Sequence, residues 1–233
     1  MCTSFVFRGA ETVIGMNFDS NGMAFGVNVK QPGRFMVAVD GGRGKWPSFG
    51  VRSDGTFVNN LCVDSNGKGN YRRPSAKVTH TSKIVADVLD GALAPEQIGE
   101  YLKTVEVVNA LDWSTHNMIV LPNGDVYVAE PGRGVLYSPK EEAPFFVMTN
   151  FSLLDARESG FAAGDGAERY RAVTGRLTGL KSLCVSEAFS VLDAAKQETG
   201  EWRTVLSMVY CKSEQAVYFC RDREWEKLKK YAF

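Results

Sequence analysis

The sequence predicts an α+β protein in which helices pack on antiparallel sheets, and three features carry that prediction. Strand-like segments fill the first third, helical spacing takes over in the middle, and the chain closes on a hairpin, so elements come in blocks. A parallel α/β sheet would instead alternate strand and helix throughout. With 233 residues, 44% of them hydrophobic and 23% charged, the chain is long enough to bury a substantial core. No repeat, low-complexity tract or linker interrupts it, and residues 1–233 are expected to form a single domain.

Taken in order, Thr3 to Phe7 and Glu11 to Met16 read as strands joined through Gly9-Ala10. Ala24 to Lys30, Phe35 to Asp40 and Thr56 to Asp64 are further strands, set apart by Gly, Pro and Asn-Gly punctuation. A helix over Thr81 to Leu89 places Ile84, Val85, Val88 and Leu89 on one face and stops at Gly91. The next opens on Pro95-Glu96, a favourable first turn, and turns Ile98, Tyr101 and Leu102 inward. Asn123-Gly124 marks a tight hairpin between Asn117 to Pro122 and Asp125 to Glu130. Val135 to Ser138 and Phe145 to Thr149 are short strands. Helical spacing returns at Ala167 to Leu177 and at Glu187 to Lys196, the latter with Ser186 as N-cap and Gly200 just past its end. Thr204 to Tyr210 and Gln215 to Cys220 form the closing hairpin.

Charge and composition exclude several functions. Lys plus Arg number 27 and Asp plus Glu 27, so there is no basic excess of the kind nucleic-acid phosphates require. The densest basic patch, Tyr71-Arg72-Arg73-Pro74 with Lys77, reads as a solvated loop. Arg8, Glu11, Asn17 and Asp19 break up the first twenty residues, so no signal peptide is expected, and no run approaches the ~20 apolar residues of a membrane span. Cysteines 2, 62, 184, 211 and 220 are odd in number and contain no CxxC pair. That pattern is neither a disulfide framework nor a zinc spacing; reduced thiols in the cytoplasm are expected.

Other motifs are weaker. Gly41-Gly42-Arg43-Gly44-Lys45-Trp46 lacks the Walker pattern, having Val39 and Trp46 where Gly and Ser or Thr belong, and is read as a tight loop. His80 and His116 are the only histidines, too few for a three-histidine metal site. His116 reads as a hydrogen-bonded structural residue, with a Cys2–His116 dyad as the alternative. Asn150-Phe151-Ser152 is a glycosylation sequon, idle in a chain that is not secreted.

Four stretches remain: Met1-Cys2-Thr3-Ser4-Phe5, Gly15-Met16-Asn17-Phe18-Asp19, Met148-Thr149-Asn150-Phe151-Ser152 and Glu168-Arg169-Tyr170. In order and spacing the series resembles the choloylglycine hydrolase family, which includes bile salt hydrolases, penicillin V acylases and related linear-amide hydrolases and acyltransferases. The resemblance runs from residue 2 to the closing hairpin. It implies an N-terminal-nucleophile fold, an αββα four-layer sandwich with two stacked antiparallel sheets, and no metal or organic cofactor.

The chemistry of Cys2 can be argued beside the resemblance. A small residue at position 2 permits removal of the initiator methionine, leaving a thiol and a free α-amine on one residue. The amine titrates at about 7.7–8.0 and the thiol at about 8.5 in model peptides, so the amine serves as base without any histidine. The thiolate attacks an amide carbonyl, a thioester forms, and the protonated amine supplies the leaving amine with its proton.

What the resemblance implies for other residues follows the same motifs. Asp19 matches the aspartate that orients the nucleophile, where the plainer reading is a strand-end turn residue. Asn150 matches the asparagine whose side-chain NH₂ donates to the oxyanion, and Arg169 the arginine that holds that asparagine and favours the thiolate. For Arg169 the plainer reading is a helix-surface pair with Glu168 or Asp165. A further oxyanion donor belongs to Val58-Asn59-Asn60-Leu61, with Asn60 chosen over Asn59.

Two departures mark a short, divergent branch. Met16 stands where the bile salt and penicillin acylases usually have a pocket arginine, which argues against those substrates. The chain is also shorter, lacking pocket loops and assembly segments, so a homo-oligomer other than the family's tetramer is left open. The reading is a cytoplasmic cysteine hydrolase of N-acyl amines or N-acyl amino acids, acting on a small-molecule amide with no nucleic acid or membrane partner. Alternatives are an acyltransferase, a catalytically inactive binding domain of the same fold, and a Cys–His hydrolase using His116.

Overall fold

The computed structural model describes residues 1–42 and 44–233. Arg43 lies outside the described residues, and with it the middle of the expected Gly41-to-Trp46 loop. The first half runs β1 (Thr3–Arg8), β2 (Thr12–Ser20), β3 (Phe25–Asn28), β4 (Arg34–Asp40), β5 (Lys45–Arg52), β6 (Phe57–Asn59), β7 (Leu61–Cys62), β8 (Val78–His80), α1 (Thr81–Leu89) and α2 (Ile98–Thr104). It continues through β9 (Glu106–Val108), β10 (Thr115–Val120), β11 (Val126–Glu130), β12 (Gly134–Ser138), β13 (Phe145–Met148) and α3 (Leu153–Ser159). Then come α4 (Ala167–Leu177), α5 (Val185–Asp193), β14 (Arg203–Cys211), β15 (Ala216–Arg221) and β16 (Lys229–Ala232).

Two large antiparallel sheets face one another. One has the order β13-β1-β2-β14-β15-β16 and the other β12-β11-β10-β6-β5-β4-β3, with β7 also pairing β10. Side chains alternate across each strand, and here both faces are apolar because both are covered. In β1, Val6 enters the core between the sheets, where it joins Ile14, Met16, Phe49, Phe57, Met118 and Val128. Its neighbours Phe5 and Phe7 point the other way, onto Val173 and Leu177 of α4 and Phe189 and Leu192 of α5. On the far sheet Val58, Ile119 and Ala129 pack against Ile84, Val85 and Val88 of α1 and Ile98 and Leu102 of α2. Three cores separate four layers, the αββα sandwich expected.

Helices α1 and α4 occupy the spans that their periodicity predicts. The structure corrects other boundaries. β5 went unread because Pro47 and the preceding glycines look like loop; the proline is accommodated where the β4–β5 register shifts, as a bulge allows. The parallel β8–β9 pair and the edge strand β16 are too short to show a period. α5 is N-capped by Cys184 rather than Ser186, because Glu187, three residues on, accepts the Cys184 backbone N–H at 2.8 Å. Among the described residues no helix is long and apolar enough to cross a membrane.

Candidate active site

Cys2 sits at the mouth of a central strand. β1 is flanked by β2 and β13, so the ends of both neighbours converge on residue 2. β2 brings Asp19, whose backbone N–H reaches Cys2 Sγ at 3.4 Å. The chain leaving β13 brings Asn150, whose Oδ1 accepts the Cys2 backbone N–H at 2.9 Å. Arg169, in the first turn of α4, closes the group: it donates to Cys2 O at 2.8 Å, Thr3 Oγ1 at 2.9 Å and Asn150 Oδ1 at 2.9 Å. This approach requires Gly166 before α4, where φ is 82° and a Cβ would lie 2.9 Å from both Thr149 and the Arg169 guanidinium.

The planar amide of Asn150 is fully oriented. Its oxygen meets two donors, and its Nδ2 donates to Cys62 O at 2.7 Å. One N–H of the amide then has no protein partner among the described residues. Arg169 also stands 3.8 Å from Asp19 Oδ2 and 3.9 Å from Asp165, so the expected surface pair with Asp165 exists alongside its hold on Cys2 and Asn150.

Asp19 is buried and bound at both oxygens. Oδ1 accepts the Thr204 hydroxyl and Oδ2 the Gln197 amide, each at 2.6 Å. Burial dominates and pushes this carboxyl up to about 6, against the opposing pull of the Thr204 hydroxyl, the chain's amino terminus, Arg169 and Gln197. Burial also pushes the Cys2 thiol up to about 12, partly offset by the amino-terminal charge and reinforced by Asp19. Gln197 and Thr204 carried no signal in the sequence, since a glutamine after a helix and a threonine at a strand start are commonplace.

A cavity of about 240 Å³ opens on this group. Cys2, Asp19, Asn60, Cys62, His80 and Ser82 form part of its polar wall, and Phe18, Trp46, Tyr71, Leu111, Trp113 and Trp202 most of its apolar one. Met1 lines it too, and its carbonyl accepts from Gln197 at 3.2 Å. Four of these side chains, Trp46, Tyr71, Leu111 and Trp113, are among the exposed large hydrophobics, so the apolar wall extends to the surface. Met16 is fully buried between the sheets and does not reach the cavity wall.

The two asparagines of β6 and its end separate cleanly. Asn60 lines the cavity, its side chain donating to Ser82 Oγ at 3.3 Å, while its backbone N–H is taken by Ser48 O at 2.8 Å. Asn59 is fully buried and bridges the sheets, donating to Ser4 Oγ at 2.9 Å and accepting the Met118 N–H at 2.9 Å. His116 turns away from Cys2: its nitrogens lie 3.0 Å from Glu130 Oε1 and 2.9 Å from Thr149 O. No direct Cys2–His116 dyad forms. His80 caps α1 through Nδ1, accepting the Lys83 N–H at 3.1 Å, and burial followed by Lys83 lowers its titration. Among the described residues no group of three or more His, Cys, Asp or Glu is arranged to hold a metal ion.

At the level of sequence, neither a family model nor a curated protein matches the chain. Solved structures do. A conjugated bile acid hydrolase of Clostridium perfringens superposes with a TM-score of 0.73 at 14% identity, over 100% of this chain and 92% of its own. Penicillin V acylase of Agrobacterium tumefaciens gives 0.69 at 15% identity, over 98% and 90%. A Caenorhabditis elegans orthologue of N-acylethanolamine-hydrolyzing acid amidase gives 0.60 at 17% identity, over 89% and 92%. The fold is therefore that of the N-terminal-nucleophile amide hydrolases. It is shared across the length that the four motifs span.

Proposed function

We propose that this chain is a hydrolase of linear, non-peptide amides, using Cys2 as an N-terminal nucleophile once Met1 is removed. The observation that supports it most is the convergence of Asp19, Asn150 and Arg169 on the backbone and thiol of Cys2 at the wall of an apolar cavity. Removing Met1 turns the Cys2 nitrogen from an amide into an amine. It also takes one side chain out of the cavity.

The reaction then runs on this chain's own groups. The α-amine takes the thiol proton and Sγ attacks the carbonyl carbon of an N-acyl amine or N-acyl amino acid. The free N–H of Asn150, with the Asn60 side chain across the cavity, donates to the oxygen as it becomes anionic. The C–N bond breaks as the ammonium returns its proton to the leaving amine, and a thioester remains. Water, deprotonated by the same amine, attacks the thioester carbonyl, the C–S bond breaks, the ammonium returns its proton to Sγ, and the carboxylic acid leaves. Arg169 and Asp19 hold the nucleophile and the donor in register throughout.

The test is a set of N-acyl amides assayed against the processed protein, with Cys2→Ala as blank. Amine release by the parent and none by the blank supports the reading; equal release by both overturns it.

A further inference from the structure

The molecule holds a second buried polar cluster that the proposed mechanism does not use. His116 on β10 and Glu130 at the end of β11 are both fully buried side chains. His116 Nδ1 lies 3.0 Å from Glu130 Oε1 and Nε2 lies 2.9 Å from the Thr149 carbonyl. Glu130 accepts three further donors: the Ser152 hydroxyl at 2.6 Å and the backbone N–H groups of Leu153 and Leu154 at 2.9 and 3.1 Å. A backbone carbonyl only accepts. Nε2 therefore carries a proton and donates to the Thr149 carbonyl, and a single proton joins Nδ1 to Glu130 Oε1.

These bonds land on one segment. Thr149 is held by His116, and Ser152 with the first residues of α3 is held by Glu130. Between the two anchors lies Asn150, whose amide spans the Cys2 N–H and the Cys62 carbonyl. We infer that the His116–Glu130 pair is the positioning device for Asn150, clamping the chain on both sides of the oxyanion donor so that its amide meets Cys2 in one orientation. The inference rests on the reading of Asn150 as that donor, and it gives the chain's buried histidine a part in catalysis without contact with substrate.

The reach of such a clamp is large because oxyanion donation is geometric. A misplacement of about 1 Å costs up to about 10²-fold in rate, and loss of one donor about 10²–10³-fold. Alkylation of Cys2 by iodoacetamide builds no oxyanion and should be indifferent to the clamp.

The experiment is a cycle of His116→Gln, Asn150→Ala and the double variant, each checked by circular dichroism for folding at the assay temperature. His116→Gln is expected to lower kcat by about 10–100-fold, with KM within about threefold and Cys2 alkylation near the parent rate. In the Asn150→Ala background the same substitution should add less than about threefold, because the donor it positions is gone. A merely structural role predicts losses that multiply, and that result, or an unchanged kcat in folded His116→Gln, overturns the inference. Should His116→Gln not fold, Ser152→Ala, which takes one donor from Glu130 and the N-cap from α3, replaces it with the same two outcomes. A readout independent of turnover is the Asn150 side-chain NH₂ resonance, identified by its absence from Asn150→Ala. It should shift in His116→Gln, and a fixed resonance counts against the clamp even where Cys2→Ala has already sunk the hydrolase reading.

Discussion

Asp19 and Glu130 are both carboxylates buried to about the same degree, yet their surroundings drive them in opposite directions. Each side chain is shut off from solvent. Burial alone would raise both. Asp19 receives two neutral donors, with the Arg169 charge 3.8 Å away, and burial wins, leaving the acid at about 6. Glu130 is contacted by the His116 ring, a hydroxyl and two backbone N–H groups, and these overcome burial and hold it at about 2. The difference teaches where the molecule keeps adjustable charge. Glu130 is held as an anion at the turn into α3; Asp19 is held nearer neutrality beside Cys2, as its proposed role in the mechanism would require.

The largest effect falls on the poised side. A chain that retains Met1 has an amide, not an amine, at Cys2, and Cys2→Ala has no nucleophile. Both should lose more than about 10⁴-fold in kcat, as removal of a nucleophile does elsewhere. Intact-protein mass paired with the amide assay checks the first; full activity in a sample shown to keep Met1 would falsify the amine-base mechanism.

Next comes the donor between the two carboxylates. Asn150→Ala should lower kcat by about 10²–10³-fold with little change in substrate binding, since the proposed mechanism directs its free N–H at the tetrahedral oxygen and not at the ground-state carbonyl. Asn150→Asp should be at least as damaging, because it sets an acceptor against an oxyanion. A near-normal kcat in either would make Asn150 structural and remove the point of contact between the two regions.

Glu130 should report in stability. Glu130→Gln removes one partner of the fully buried His116–Glu130 pair, and breaking such a pair costs about 3–5 kcal/mol. Urea unfolding at pH 7 measures it. A loss below about 1 kcal/mol would show that the pair is weakly coupled and would erase the contrast with Asp19.

How much of this was legible in the sequence follows the same division. The strands on either side of Cys2, and helices α1 and α4, show their apolar period plainly because one stripe of each faces a core. Cys2, Asp19, Asn150 and Arg169 are named through the resemblance that the four short motifs carry, and the structure brings them together. The clamp is not legible. Glu130 ends the hairpin read from Asn123-Gly124, but His116 falls one residue before the strand start read there, since β10 begins at Thr115, and in sequence the two are an isolated histidine and an isolated acid. Only the sheet register and the turn into α3 bring them together. α3 itself was hidden, since Ser152 reads as part of a sequon until its hydroxyl is seen accepting the Asp155 N–H at 3.0 Å. Asn59 and Asn60 are adjacent and identical in type, so their separation into bridge and cavity wall needed the fold.

The smallest predicted effect is the pH response that tells the two carboxylates apart. Because Asp19 titrates at about 6 when folded and near 3.8 in its ordinary range, the folded state holds the proton more tightly. Its ionisation therefore weakens the fold: no cost below about 4, a growing one as pH rises toward 6, and a full one above, worth ~3 kcal/mol. Glu130 has the reverse sign. Its folded value of about 2 lies below its ordinary 4.5, so the stability it contributes is present above 4.5 and is lost as pH falls toward 2. In Asp19→Asn the melting temperature should equal that of the parent near pH 4 and exceed it increasingly up to pH 6–7, while turnover is lost. In the parent, kcat/KM should rise with pH through a group near 6 as Asp19 ionises and holds the Cys2 amine. That limb should persist in His80→Ala, whatever that change does to the rate, because His80 caps α1 and is not bonded to Cys2. Thermal scans of Asp19→Asn and parent from pH 4 to 8 decide the matter: parallel curves would mean that Asp19 is not poised at all, and that the asymmetry between the two acids does not exist in solution.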